Sequence, residues 1–146
     1  MQYQIVEANT EFAEQIAQLT GQLGYLVNTD ETKQCLTELE QSERHCVFVA
    51  LSQQSVLGWL VVEHRLSLEA GHRGEITGLV VDANHRRSGI AQSLVAAAEQ
   101  WAKQRCLARI EVKSNAARAE SHVFYPSVGY QLEKTSHSYA KNLTTS

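Results

Sequence analysis

A long helical signal dominates the second half of the chain. Over 90–102, Ile90, Leu94, Ala97, Ala98, Trp101 and Ala102 recur on one face of a 3.6-residue repeat. Such a stripe needs a sheet beneath it, and apolar runs on either side predict strands over 75–82 and 109–113, the latter with Ile110 and Val112 inward. Upstream, 3–7 alternates as a first strand. Phe12, Ile16, Leu19 and Leu23 predict a helix over 10–23 with Thr10 as its cap. Gly21 and Gly24 punctuate its exit, and Tyr25-Leu26-Val27 forms a loop. A second helix is predicted over 30–41, with Leu36 and Leu39 inward. The runs 45–51 and 56–64 read as strands of a hairpin turning around Ser52-Gln53-Gln54-Ser55, and 65–73 reads as a polar connection containing Gly71. A short helix carries Tyr125 and ends near 126–129, and two last strands are expected over 130–133 and 137–143. Strands first and last with helices between them predict an α/β (α+β) fold, with a mixed, largely antiparallel sheet and helices on both faces. No repeat or linker interrupts the pattern, so 1–146 reads as one domain.

Composition narrows the function classes. A chain of 146 residues with 43% hydrophobic and 20% charged residues can bury a full core without staples. Its net charge of −3 argues against a nucleic-acid binder held by a basic face. Cys35, Cys46 and Cys106 are odd in number and lack CxxC spacing, so neither a disulfide framework nor a zinc site is indicated. The six histidines have no ligand spacing either, and no metal is expected. The start MQYQIVEAN lacks the features of a signal peptide, and no apolar run reaches membrane-spanning length. The expected home is a reducing cytoplasm, with no membrane partner.

The chemistry begins where the strand 75–82 meets the long helix. Arg86-Arg87-Ser88-Gly89-Ile90-Ala91 is a basic turn opening directly into a helix start, where unpaired N–H groups and the helix dipole both favour an anion. No proline removes a donor between 86 and 92. Gly89 lets a phosphate approach the backbone, and the arginines can pair with its oxygens. A phosphorylated ligand is therefore expected. There is no Lys-Ser/Thr after a glycine as in a P-loop, and no G-x-G-x-x-G near the N-terminus. Taken alone, a charged turn before a helix is equally a solvated surface.

The order of the pieces resembles the acetyl-CoA motif of the GCN5-related N-acetyltransferases (the GNAT superfamily), Arg/Gln-x-x-Gly-x-Gly/Ala after a Val-rich strand. Arg86, Gly89 and Ala91 hold its three positions. A second segment, 114–130, is similar to the other half of that family's site: Asn115 at a strand end, then a short helix with Tyr125 four residues before Gly129-Tyr130. Its Arg118-x-x-x-His122-x-Phe124-Tyr125 form resembles the branch of aminoalkylphosphonate and small-amine acetyltransferases. The resemblance implies a splayed pair of central strands whose gap admits the pantetheine arm of acetyl-CoA. It also implies that backbone groups of Leu79, Val80 and Val81 pair with that arm as though it were an added strand. By composition alone these three are equally ordinary core. The amides of Arg87, Ser88, Gly89, Ile90 and Ala91 would hold the pyrophosphate, with Arg86 either beside them or solvated. Asn115 would cap the next helix, touch the cofactor, or both.

The implied reaction moves an acetyl group from acetyl-CoA to a primary amine of a small molecule. An alkylamine has a pKa near 10 and is mostly protonated at neutral pH, so a proton acceptor, an oxyanion donor and an acid for the thiolate are needed. Tyr125 matches the family's acid; its alternative is a core aromatic. Glu75 is the candidate base, sharing a strand face with Thr77, Leu79 and Val81 if no bulge intervenes. Its alternatives are a plain structural role, an acid nearer Thr77, or solvent as the base. A backbone N–H near Val80 would be the oxyanion donor. His122 shares a helix face with Arg118 and Tyr125 and is read as orienting that helix rather than catalysing. Tyr25 and His64 are candidates for the acceptor pocket, each with a surface alternative. The other functional readings are acetylation of a protein N-terminus or lysine, and a catalytically silent CoA-binding module. Homodimers are frequent in the family, and nothing in the chain decides this.

Overall fold

A computed structural model describes residues 2–114 and 118–144, and the chain divides into two compact units, Met1–Lys113 and Ser114–Ser146. The first unit contains a five-stranded sheet in sequence order: β1 (Gln4–Glu7), β2 (His45–Ser52), β3 (Ser55–Ser67), β4 (Gly71–Val81) and β5 (Ile110–Val112). The first four are antiparallel neighbours, and β5 joins β4 in parallel. The mixed, largely antiparallel sheet expected from the pattern is present.

A 3-10 turn at Thr10–Phe12 leads into α1 (Ala13–Gly21), followed by α2 (Thr29–Gln41) and α3 (Ile90–Gln104). The cap of the first helical segment is Asn9, not Thr10: its side chain accepts from the Glu11 amide at 2.8 Å, because the tighter turn starts one residue earlier. At α2, Asn28 and Glu31 form a reciprocal capping box, with bonds of 2.8 and 3.1 Å.

The two faces of the sheet are covered by different helices. On one, Val47, Val49 and Val80 form a core with Ala13, Ile16 and Leu19 of α1 and Leu36 of α2. On the other, α3 packs on β3 and β4 through Ile90, Leu94, Val95, Ala98 and Ala102. Val95 joins the buried stripe, whereas Ala97 and Trp101 are only half-buried. Gly58 allows this helix to sit close. A Cβ there would lie 2.9 Å from the Val80 carbonyl oxygen and 3.3 Å from side chains of Ile90 and Leu94. Gly58→Ala is expected to destabilise the chain by about 1–3 kcal/mol, the usual cost of overpacking, read as a lower urea midpoint with an unchanged slope.

Two expectations are corrected in β3 and β4. The stretch 65–73 is not a polar connection: β3 continues to Ser67 and β4 begins at Gly71, with Arg65↔Arg73 and Ser67↔Gly71 in register. Charged residues sit in this ladder because their partners lie across the strands. Further along, the register passes from Val62↔Ile76 to Val61↔Gly78, so Thr77 is an extra residue in β4. This bulge ends the simple alternation. Glu75 consequently shares a face with Gly78 and Val80, and Leu79 and Val81 lie on the opposite one.

In the second unit, α4 spans Ala119–Ser127 with Pro126 inside it. The two strands expected at 130–133 and 137–143 are not formed; among the described residues 131–144 every position is exposed and none is in a strand. Alternation supplies a strand with a face but not with the hydrogen-bonding neighbour it needs.

Candidate active site

The parallel pairing of β4 and β5 is short. It covers Gly74↔Ile110, Glu75↔Glu111 and Ile76↔Val112, after which β4 runs on to Val81 bonded to β3 alone among the described residues. The Asp82 amide donates to the Leu57 carbonyl at 2.8 Å. Antiparallel alternation therefore directs the polar groups of Val80 toward Trp59 on β3, and those of Leu79 and Val81 toward the open edge. Of the three residues expected to pair with a ligand arm, two direct their amides to this edge and one does not. An N–H and C=O left along such an edge are ready to bind an extended ligand as an added strand.

That edge leads into the basic turn. Asp82 starts a 3-10 turn, Ala83–His85, with its carboxylate 2.8 Å from His85 Nδ1. Gln22 of the segment after α1 pins this turn, donating to Asp82 Oδ1 at 3.0 Å and accepting from the Ala83 amide at 2.9 Å. The Gln22 hydrogen bond, with that of His85, holds the Asp82 carboxyl below the usual carboxylate range. The Ser88 hydroxyl donates to the His85 carbonyl. Arg87 and Gly89 both have positive φ, +65° and +85°. A nest for an anion forms where right- and left-handed residues alternate, and Arg87 and Gly89 supply two left-handed positions, one apart. Gly89 is the N-cap of α3 and has no side chain to satisfy the first amides of the helix; the first intrahelical bond is Ser93 N–H to Gly89 C=O at 3.0 Å. Arg86, Arg87, Ser88 and Gly89 are exposed, Ala91 is half-exposed, and Ile90 is buried, anchoring the helix on the sheet. A Cβ on Gly89 would meet only Tyr3 Oη, at 3.7 Å, and Tyr3 Oη itself lies 2.8 Å from Ser93 Oγ.

Glu75 stands at the other end of the edge, where β4 and β5 part. It is only 5% exposed, and with Arg73 at 6% it is one of two buried charged residues among those described. Both its oxygens accept from Arg65 Nη1, at 3.0 and 3.3 Å, and Lys113 Nζ is 3.7 Å from Oε1. Arg73 Nε is 2.9 Å from Glu111, which Arg109 also approaches at 3.8 Å. His45 Nε2 lies 3.1 Å from Glu63. These contacts have one origin. His45, Glu63, Glu75 and Glu111 stand abreast across four strands, and Arg65 and Arg73 stand abreast in the next row, with Arg109 just before β5 continuing it. Opposite charges in adjacent cross-strand rows compensate charges that would otherwise be costly to bury. Sequence reasoning missed this lattice. Its signal was Glu63-x-Arg65, Arg73-x-Glu75 and Arg109-x-Glu111, reversed on the antiparallel strand and repeated on the parallel one.

Tyr25 is 58% exposed in the loop before α2, next to exposed Leu26 and Val27. His64 does not join Glu75: it lies on the α3 face, abreast of Gly74, with Nε2 2.8 Å from His72 and Nδ1 3.3 Å from Arg105 at the C-terminal end of α3. Desolvation, then the Arg105 charge, lowers its imidazole pKa. Asn115 lies outside the described residues. In the second unit, the Tyr125 ring meets Phe124 and Tyr130 edge-on at centroid distances of 5.1 and 5.9 Å. Burial raises its phenol pKa, with Arg118 opposing. His122 is exposed on the same helix. Among the described residues no helix is long and apolar enough to cross a membrane.

Comparison with solved structures places this geometry among known folds. A protein described as a transcriptional regulator from Bacillus halodurans C-125 superposes with a TM-score of 0.88 at 20% identity, covering 96% of this chain and all of the other (100%). The aminoglycoside antibiotic 6'-N-acetyltransferase AAC(6')-IG from Acinetobacter haemolyticus gives 0.83 at 23% identity, with 97% and 99% covered. The aminoglycoside N-acetyltransferase AAC(6')-Iy, solved in complex with CoA, gives 0.87 at 18% identity, with 96% and 95% covered. At these identities the likeness is one of fold. No curated protein sequence matches the chain. The sequence does match the acetyltransferase (GNAT) family over residues 12–130, most of its length and both of its units. That match, over a sheet whose β4–β5 pairing ends at Ile76↔Val112 and a helix start capped by glycine, identifies the family: the chain belongs to the acetyltransferase (GNAT) family, enzymes that transfer an acetyl group from acetyl-CoA to an amine nitrogen.

Proposed function

We propose that the chain, as one N-acetyltransferase domain over 1–146, acetylates a primary amine of a small molecule in a reducing cytoplasm. The observation that carries this is the open β4 edge leading into an N-terminus of α3 whose cap residue is glycine. Leu79 and Val81 would pair with the pantetheine arm, and the amides of 87–91, with Arg86, would hold the pyrophosphate. Asn115 is proposed to contact the same arm. Acetyl-CoA supplies the activated acetyl thioester. The Leu79 amide is the proposed oxyanion donor, since Val80 spends its own on β3. Tyr125 would protonate the departing thiolate, and its raised pKa keeps the phenol protonated at working pH. Glu75 is the proposed proton acceptor. A carboxylate offers about four lone-pair sites, so the bonds from Arg65 leave it capacity for a water or an amine. Tyr25 is proposed to line the acceptor pocket. The named activities of the aminoglycoside acetyltransferases that share the fold support a small-amine acceptor.

The test is an acceptor panel of small amines and peptides with detection of free CoA. Turnover of small primary amines is expected. Turnover of peptides alone would move the acceptor class to proteins, and acetyl-CoA binding with no turnover would leave a silent module. With an active amine in hand, Glu75→Gln is expected to depress turnover most at low pH and to recover as pH rises toward the amine pKa of about 10, where neutral amine needs no base. A uniform loss across pH would assign Glu75 to the ion lattice instead, and no loss would remove it from the mechanism.

A further inference from the structure

Lys113 follows β5 directly, at the point where the β4–β5 pairing ends. Extending the register beyond Ile76↔Val112 sets it abreast of the bulged Thr77, two residues before the first edge-facing amide, that of Leu79. Its Nζ is 3.7 Å from Glu75 Oε1, and its side chain is 63% exposed. The chain thus places a primary amine of its own beside the carboxylate proposed as base, at the mouth of the edge proposed for the acyl arm. Arg65 touches the same carboxylate, but its guanidinium stays protonated and is no nucleophile. The other lysines of the first unit stand elsewhere: Lys33 on α2, and Lys103 in the last turn of α3, about 20 Å along the helix from Gly89.

We propose that Lys113 is a self-acetylation site, modified from the acetyl-CoA bound by the same chain; this rests on the acetyl-CoA reading above. The Lys113 ammonium first loses a proton to water, the neutral Nζ then attacks the thioester carbonyl carbon, the C–N bond forms and the C–S bond breaks. The surplus proton on nitrogen passes to Glu75 or to water, and CoA leaves as a thiolate that takes a proton from its surroundings. The product is Nε-acetyl-lysine and free CoA. The modification removes one cation from beside Glu75 and leaves Arg65 as its partner.

The experiment incubates the purified chain with acetyl-CoA and no acceptor, following intact mass and peptide maps, alongside calorimetric titration of acetyl-CoA. The expected result is one added acetyl group, mapped to Lys113, at a first-order rate independent of protein concentration. Lys113→Arg should bind acetyl-CoA and lose the label, Lys103→Arg should keep it, and Glu75→Gln should slow labelling about 10²-fold. Acetyl-CoA binding with no label, or with label spread evenly over the lysines, would overturn the inference and leave the cofactor reading intact. No detectable acetyl-CoA binding would overturn both.

Discussion

Tyr125→Phe is expected to lower kcat about 10²–10⁴-fold, the usual worth of a positioned acid or base, while leaving acetyl-CoA affinity nearly unchanged. The substitution removes one hydroxyl and keeps the ring, whose contacts with Phe124 and Tyr130 are edge-on aromatic packing. Burial raises the phenol pKa, so the group remains protonated across neutral pH and available to a thiolate leaving group, whose own pKa is about 8.5. A proton delivered only as the C–S bond breaks is an interaction of the transition state, so its loss belongs in kcat rather than in ground-state binding. Initial rates against an active amine, with calorimetric titration of acetyl-CoA, provide the check. Wild-type turnover in the Phe variant would leave solvent as the acid. A loss of cofactor affinity would make Tyr125 a packing residue.

Gly89→Val is expected to abolish stabilisation by acetyl-CoA. At a hundredfold excess over Kd, a ligand that binds only the folded chain contributes about 2.7 kcal/mol, a readily measured rise in Tm. Gly89 sits at φ +85°, where a β-branched residue costs about 1–2 kcal/mol, and the new side chain would project over the amides that open α3. The free chain pays that strain without a clash, since the nearest atom to a Cβ is Tyr3 Oη at 3.7 Å. The variant should therefore keep its circular dichroism, melt somewhat lower, and show no ligand shift. Gly89→Ala, with less bulk at the same φ, separates strain from occlusion: it should match the strain and retain part of the shift. A full shift in the Val variant would remove the turn from the cofactor site.

The turn was legible because most of what shapes it is contiguous; the pin from Gln22 was not, since it comes from far upstream in the chain. The basic residues, the glycine and the helix stripe occupy one run of the chain, and their spacing alone places an anion site at a helix start. The same holds for α3, whose inward face was read correctly at Ile90, Leu94, Ala98 and Ala102 but without Val95, and for the hairpin of β2 and β3. Legibility failed where a partner lies far away. At 65–73 the polar composition suggested a connection, but Arg65 and Arg73 pair across the ladder, and their charges meet Glu75 and Glu111. At 130–143 the alternation suggested strands, and the segment has none among the described residues.

Sequence by itself therefore determined the helical periods, the glycine at the basic turn, the β2–β3 hairpin and the family to which they belong. Tertiary structure alone decided the bulge at Thr77, which sets Glu75 on a different face from Leu79 and Val81. It also decided which edge amides stay open, and which cations surround the buried carboxylate. The physical reason is range. A backbone dihedral or a helical stripe depends on residues a few positions apart, whereas register, edge exposure and ion pairing depend on which strands the fold makes neighbours.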